Sequence, residues 1–445
     1  MIEKLKTADV IKFIIIYSIV VQFLTSVVNL PTAFFYLNDL LLIVIVASCV
    51  IHIYYKRIIM IPKPLLVAFG VLLLLAMISF AINQYSPLQM VWGARNNFRV
   101  IMFFFACCMC LRKKDIYDIF GLFFKLLPLN AILCTLQYFM AINSGDQRVL
   151  QFIGDHVGGM FGNSTGCNRI LNVYIMIVFM VALAYLLKKQ ITKGKFLQVL
   201  FLCVYMSVLS ELKIVILEMA VVTVVMVLLI MKRMSKWLYL VIAGLLIYTV
   251  FNIWAIFNPT IRSLLGNLEN LISYTSASSY GQNSLNRMTV IPYMHDLLLE
   301  GDPLRVLFGI GLGNADSSGF SFLVSDIHRS YGELKYSYFM HGMLYVELGA
   351  VGLVAYILFF VVHYFTALRR TVYRGIDNAL VYSGIVFNLI AVITIFYNTT
   401  LRSEVSCFLV FFFLAIPIIW MNRKEEDESS YSIIGQKKVK WKVWR

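Results

Sequence analysis

The polar segment from 257 to 342 concentrates groups capable of acid–base and electrostatic chemistry: Arg287, Asp326, His328, Arg329, Glu333, Lys335 and His341, with Glu347 just beyond it. Histidine titrates closest to neutrality, which suits it to take a proton from a hydroxyl. His341 is the first candidate for that base and His328 the second. A guanidinium is planar and always charged, so it binds phosphate or carboxylate through paired hydrogen bonds. Besides Arg287, such cations stand at the mouths of apolar runs: Arg95 and Arg99 in GARNNFR before the fourth run, and Arg169 after the Gly- and Asn-rich stretch VGGMFGNSTGCN. Lys213, in SELKIVILE, has Glu211 beside it and Glu218 deeper in the same run. Charges close to a membrane interior are costly and mark a site or an internal ion pair, and for Glu218 the pair is the favoured reading. Glu347 is open between capping a helix, pairing with an arginine and taking part in chemistry.

The scaffold that positions these groups follows from composition. With 60% hydrophobic residues, 14% charged residues and a mean hydropathy of +0.82, the chain has too few polar residues to clothe a soluble globule. Its apolar runs approach the ~20 residues that a helix needs to cross hydrocarbon, so it reads as an all-α integral membrane protein. Twelve spans are expected, near 10–28, 37–55, 64–82, 97–111, 116–142, 167–187, 196–212, 213–231, 237–256, 343–365, 380–397 and 405–421. The division is 1–256 for spans one to nine, 257–342 for one large loop, 343–421 for the last three spans and 422–445 for a tail. The first apolar run lacks a small-residue cleavage site and is expected to remain as the first span.

Every second connection is basic: Lys56, Arg57 and Lys63, then Arg112 to Lys114, Lys188 to Lys195, Lys232 to Lys236, and Arg369 to Arg374. By the positive-inside rule both termini are then cytoplasmic and the large loop is outside. On that topology the outer side carries nine arginines and two lysines, whereas the inner side carries eight arginines and eighteen lysines. Topology has no reason to select arginine outside, and an anionic ligand does. The competing expectation is ordinary pairing of any outer arginine with Asp302, Asp316, Asp326, Glu333 or Glu404.

Other features carry less. Eight cysteines fall in or beside the spans without metal-ligand spacing, so neither a metal nor a disulfide is expected, and no cofactor. Residues 285–300 alternate at helical spacing and are expected to form an amphipathic helix broken at Pro292. The glycine-alternating LFGIGLGN suits a close-packed turn as well as a phosphate cradle. His156, His295 and His363 read as packed or interfacial residues.

LFGIGLGN after Arg287, the histidine-containing stretch and ELGAVGL at the next helix entry resemble the O-antigen polymerase and ligase superfamily, the Wzy-type polymerases and WaaL-type ligases. GMFGNSTGCNRI resembles a Gly- and Asn-rich counterpart in that family, and the resemblance covers most of residues 93 to 355. It implies a GT-C-like membrane fold and a metal-independent glycosyltransferase that takes a glycan from a polyprenyl diphosphate to a sugar hydroxyl. It also implies that outer-face cations bind the diphosphate, which by position carries over to Lys213 and Arg287, with Arg99 and Arg169 as further candidates from their place at the helix mouths; the family's loop histidine leaves His341, His328 and Tyr338 in contention, and Glu347 remains a candidate for the chemistry. Lys213 stands where the ligases place an arginine, and His341 falls closer to Glu347 than the family spacing. The implied setting is the bacterial cytoplasmic membrane, with lipid, flippase and chain-length regulator proteins as partners and no nucleic acid. Transfer to a different acceptor, as in the ligases, is the nearest alternative; a lipid-linked oligosaccharide flippase is the alternative from another class.

Overall fold

A backbone in hydrocarbon has no water to bond, so an apolar run satisfies its own N–H and C=O groups by coiling. A computed structural model of the chain, described for residues 7–56, 59–231, 244 and 284–422, follows that rule: every regular element among the described residues is helical. Eight helices are long and apolar enough to cross a membrane: α1 (Thr7–Val27), α2 (Tyr36–Lys56), α3 (Lys63–Asn83), α5 (Lys113–Ile142), α7 (Asn168–Leu187), α9 (Lys213–Ile230), α13 (Met340–Tyr373) and α14 (Ala379–Tyr397). The chain is thus an all-α, multi-pass membrane protein. Three more helices coincide with expected spans without joining that class: α4 (Pro87–Cys110), which carries Arg95 and Arg99, and the 17-residue α8 (Lys193–Leu209) and α15 (Ser406–Asn422). Short helices complete the set: α6 (Gln147–Gln151), α10 (Val290–Leu298), α11 (Pro303–Phe308) and α12 (Asp326–Tyr331). Apart from Gly244, the expected ninth span at 237–256 lies outside the described residues, as do the loop up to 283, Lys4 and Lys6, Arg57, Lys232 to Lys236, and the tail from 423.

Helix α7 occupies the centre, packed by α8, α9, α14 and α15. Its apolar window is 89% buried, against 28% for each of α1, α2 and α3, which make an outer wall. Residues 284–339 gather a small core of their own, with Leu285, Val290, Met294, Ile310, Tyr336 and Phe339 packed on Met343 and Val346 of α13.

Two boundaries differ from the sequence expectation. Helix α4 begins at Pro87, not near 97, because proline with its fixed φ suits the first helical turn. Arg95 and Arg99 therefore lie inside the helix and not ahead of it. Helix α10 runs unbroken through Pro292, which falls in its first turn where no intrahelical N–H is lost.

Helix α13 is interrupted within ELGAVGL. Gly349, at φ 69° and ψ −172°, interrupts α13 and strands the carbonyls of the turn before it. The glycine run 309–313 enters that gap: Ile310 N–H donates to the Val346 carbonyl at 2.9 Å and Gly311 N–H to the Glu347 carbonyl at 3.1 Å. Helix α3 and the turn after it hold the run from the other side, with Asn83 Nδ2 donating to the Gly309 carbonyl at 2.9 Å and the Tyr85 hydroxyl to the Leu312 carbonyl at 2.7 Å. A Cβ on Gly309 would strike the Glu347 carbonyl, and one on Gly349 the Leu307 carbonyl. LFGIGLGN is thus a close-packed turn that resolves a broken helix, the setting in which irregular backbone is tolerated within a bundle.

Candidate functional site

The charged residues at the helix mouths divide into two groups. In the first, Asp39 from the opening turn of α2 and Glu404 ahead of α15 bracket two arginines of α4. Arg95 reaches Asp39 at 2.7 Å and Glu404 at 3.0 Å; Arg99 reaches the same two at 2.8 Å and 2.7 Å. Arg95 also lies over the rings of Trp92 and Tyr36. Two cations meet two carboxylates, so the charge is balanced. Next to this set Arg402 pairs with Asp316, which also accepts from Asn96 at 2.6 Å. Burial opposes the charge on Arg402, but Asp316 and Glu347 more than offset it and hold the guanidinium above its ordinary range.

This placement answers two sequence expectations. Arg99, only 6% exposed, has both terminal nitrogens on carboxylates and presents no face to a diphosphate. Glu347 is not at a helix mouth: it lies fully buried before the Gly349 break, accepting from Gly313 N–H at 3.0 Å and from Asn97 at the outer limit of 3.5 Å. It anchors the glycine run. Arg305 and Arg329 likewise pair locally, with Asp302 and Asp326 at 3.3 and 3.5 Å.

The second group forms where α14 ends and α7 and α9 begin. Arg287, on the segment leading to α10, donates Nε–H to the Tyr397 carbonyl at 2.9 Å and lies 4.1 Å from the centre of the Tyr397 ring. No described carboxylate forms an ion pair with it. Arg169, in the first turn of α7, donates to the Thr399 hydroxyl at 3.0 Å, so the two arginines flank one corner of the chain, 397 to 399. The neighbouring Asn168 donates to the Ser210 carbonyl at 3.2 Å, fastening the start of α7 to the turn from which Lys213 opens α9. The nearby Asp155 is half-buried; burial pushes its carboxyl up, while Asn168, His156 and Arg169 pull it back.

His341 lies on the same corner with both ring nitrogens occupied: Nε2 faces the Arg287 carbonyl at 2.9 Å and Nδ1 the Ile395 carbonyl at 3.2 Å. A neutral imidazole has a single N–H, so only the doubly protonated ring donates to both. In either state the ring lies between the Arg287 carbonyl and that of Ile395 on α14, bonded to at least one of them, and a lone pair turned toward an incoming hydroxyl is not its arrangement here. His328 in α12 is more open: Nδ1 is 3.3 Å from the Tyr336 hydroxyl, and burial, aided by Lys335 and opposed by Asp316, lowers its pKa. Of the remaining histidines, His156 faces the Asn163 carbonyl, His295 the Tyr345 hydroxyl and His363 the Asn388 amide oxygen.

The Gly- and Asn-rich entry to α7 is unwound, as its composition suggests, but its N–H groups are occupied. Gln137 of α5 accepts from Gly158 and Gly159 at 3.0 and 2.6 Å, Asn130 accepts from Met160 at 2.7 Å, and Ser26 accepts from Asn163 and Ser164 at 2.6 Å each. The stretch ties α1, α5 and α7 together and leaves these groups no capacity to cradle an anion. Sequence reasoning missed Tyr397 and Thr399, whose only signal is the polar YNTT at the close of an apolar run. A scan against protein-family models finds no family that matches this chain, and a search of curated proteins finds no significant relative.

Proposed function

We propose that the protein is a polysaccharide polymerase of the bacterial cytoplasmic membrane. In this reading it transfers a glycan from a polyprenyl-diphosphate donor to a sugar hydroxyl of a lipid-linked repeat unit, at the outer face and with both termini inside. The supporting observation is the meeting of Arg287 and Arg169 at residues 397–399, beside the turn that opens α9 at Lys213. Diphosphate leaves readily once its developing charge meets fixed cations, and a water-poor setting strengthens that contribution. Arg287 supplies its two terminal nitrogens to the anion while its Nε–H and ring contact hold it in place. His341 positions the Arg287 backbone, and His328 takes the proton of the attacking hydroxyl. Flippase and chain-length regulator proteins would supply the donor and set the product length.

The test uses the purified full-length protein in nanodiscs with a polyprenyl-diphosphate oligosaccharide, a chelator and no nucleotide sugar. A ladder of repeat-unit multiples is expected. Transfer seen only after a different lipid or wall acceptor is added would make the protein a ligase. Neither product, with the donor intact and bound, would overturn the enzyme reading and leave the basic corner to a flippase.

A further inference from the structure

Glu218 of α9, expected to form an internal ion pair, has no ion-pair partner among the described residues. It is fully buried, and neither carboxyl oxygen receives a hydrogen bond. Its polar neighbour across the packed face of α7 and α9 is Asn172, 1% exposed, whose Oδ1 receives none either. The other polar groups of these helices and of α14, which packs on both, are committed. The Thr223 hydroxyl donates to the Met219 carbonyl at 2.7 Å, that of Ser383 to Ala379 at 2.9 Å and that of Tyr174 to Phe123 at 2.7 Å; the Asn388 amide donates to Ile385 at 2.9 Å. Helix α14 contains no charged residue; α7 has Arg169, one turn from Asn172, and α9 has Lys213, five positions from Glu218.

The Asn172 amide N–H is the one donor beside these three buried acceptor atoms, and no described cation pairs with the carboxylate, a setting that calls for a small positive ligand. A hard metal cation takes about six or more oxygens, twice what stands here. A proton needs only two: bound to Glu218 it turns the carboxyl into a donor and pairs it with the Asn172 oxygen, and it removes the charge that burial penalises most. We propose that Glu218 is a proton-binding site, the carboxyl carrying its proton within the folded bundle and donating it to Asn172. The site lies one turn along α7 from Arg169 and five positions along α9 from Lys213. This inference is independent of the reaction proposed above.

The test is an infrared difference spectrum, wild type minus E218Q, of the full-length protein in nanodiscs near neutral pH. The expected result is one protonated-carboxyl stretch per chain, lost in E218Q and unchanged when sodium chloride replaces choline chloride. In N172L the same stretch should shift as its hydrogen bond is lost. A difference spectrum with only ionised-carboxylate bands overturns the proposal, as does a protonated band that disappears in sodium, which would make sodium the occupant. If E218Q does not fold, N172L decides alone: an unshifted band rejects the pairing with Asn172.

Discussion

Two arginine groups at the helix mouths differ in their carboxylates. Around α4, Arg95 and Arg99 share Asp39 and Glu404, and Arg402 has Asp316; every cation is matched and the contacts join α2, α4 and the approach to α15. At the end of α14, Arg287 is held by a carbonyl and a ring, neither of which neutralises it. The same residue type therefore serves as a fastener in one place and as a presented charge in the other. Buried ion pairs contribute little net stability because desolvation offsets attraction, yet losing one partner is expensive. A cation held by neutral groups keeps its capacity for an outside anion.

That contrast is most exposed by Arg402→Met, which strands Asp316 close to Glu347. It should cost about 3–5 kcal/mol, read as a large fall in melting temperature. The double variant R402M/D316M should recover much of the loss, and failure to do so would mean that the pair is not the reason for the fall.

Arg287→Ala should do the reverse, leaving the unfolding free energy within about 1 kcal/mol of wild type while lowering glycan transfer by roughly 10²–10³-fold. Arg287→Lys should restore only part, since a point charge lacks the planar fork. Equal loss of fold and activity in R287A would place Arg287 with the fasteners.

His341→Ala removes the ring from between the Arg287 and Ile395 carbonyls and leaves the one it donates to without that partner, a cost of about 1–3 kcal/mol. Transfer should fall with it, and the pH profile of the residual activity should keep its shape, because His341 is read as positioning and not as titrating. A profile that loses its acid limb in H341A would return the base role to this residue.

The smallest effect concerns His328. Its pKa is lowered from 6.5, chiefly by burial, so the folded state binds the proton less readily than the unfolded chain. The resulting stability is present above 6.5 and is lost as pH falls through the folded value. A melting temperature that declines from about pH 7 to about pH 5 in wild type, less steeply in H328Q, is the expected signature.

Much of the scaffold was legible because it depends on local composition. Runs such as ILNVYIMIVFMVALAYLL can only coil in lipid, and α7, α9, α13 and α14 appear where the apolar runs place them. The start of α4 was misplaced because GARNNFR reads as a polar mouth, although a proline six residues before it had already opened the helix. Arg169, Lys213 and Arg287 were legible as candidates from residue type and position alone. Arg99 looked equivalent, and nothing local distinguishes it.

What the sequence determined by itself is the number of apolar runs, their helical state and the excess of arginine over lysine on one set of connections, since each depends on neighbours along the chain. Tertiary structure decided which cations are neutralised, because Asp39, Asp316 and Glu404 reach them from distant parts of the sequence. It also decided that the glycines of LFGIGLGN serve the broken α13, that His341 lies against the Arg287 carbonyl, and that Glu218 faces Asn172 without another polar partner among the described residues. Those outcomes depend on which backbones approach closely enough to share a hydrogen bond, and that distance is set by packing between helices.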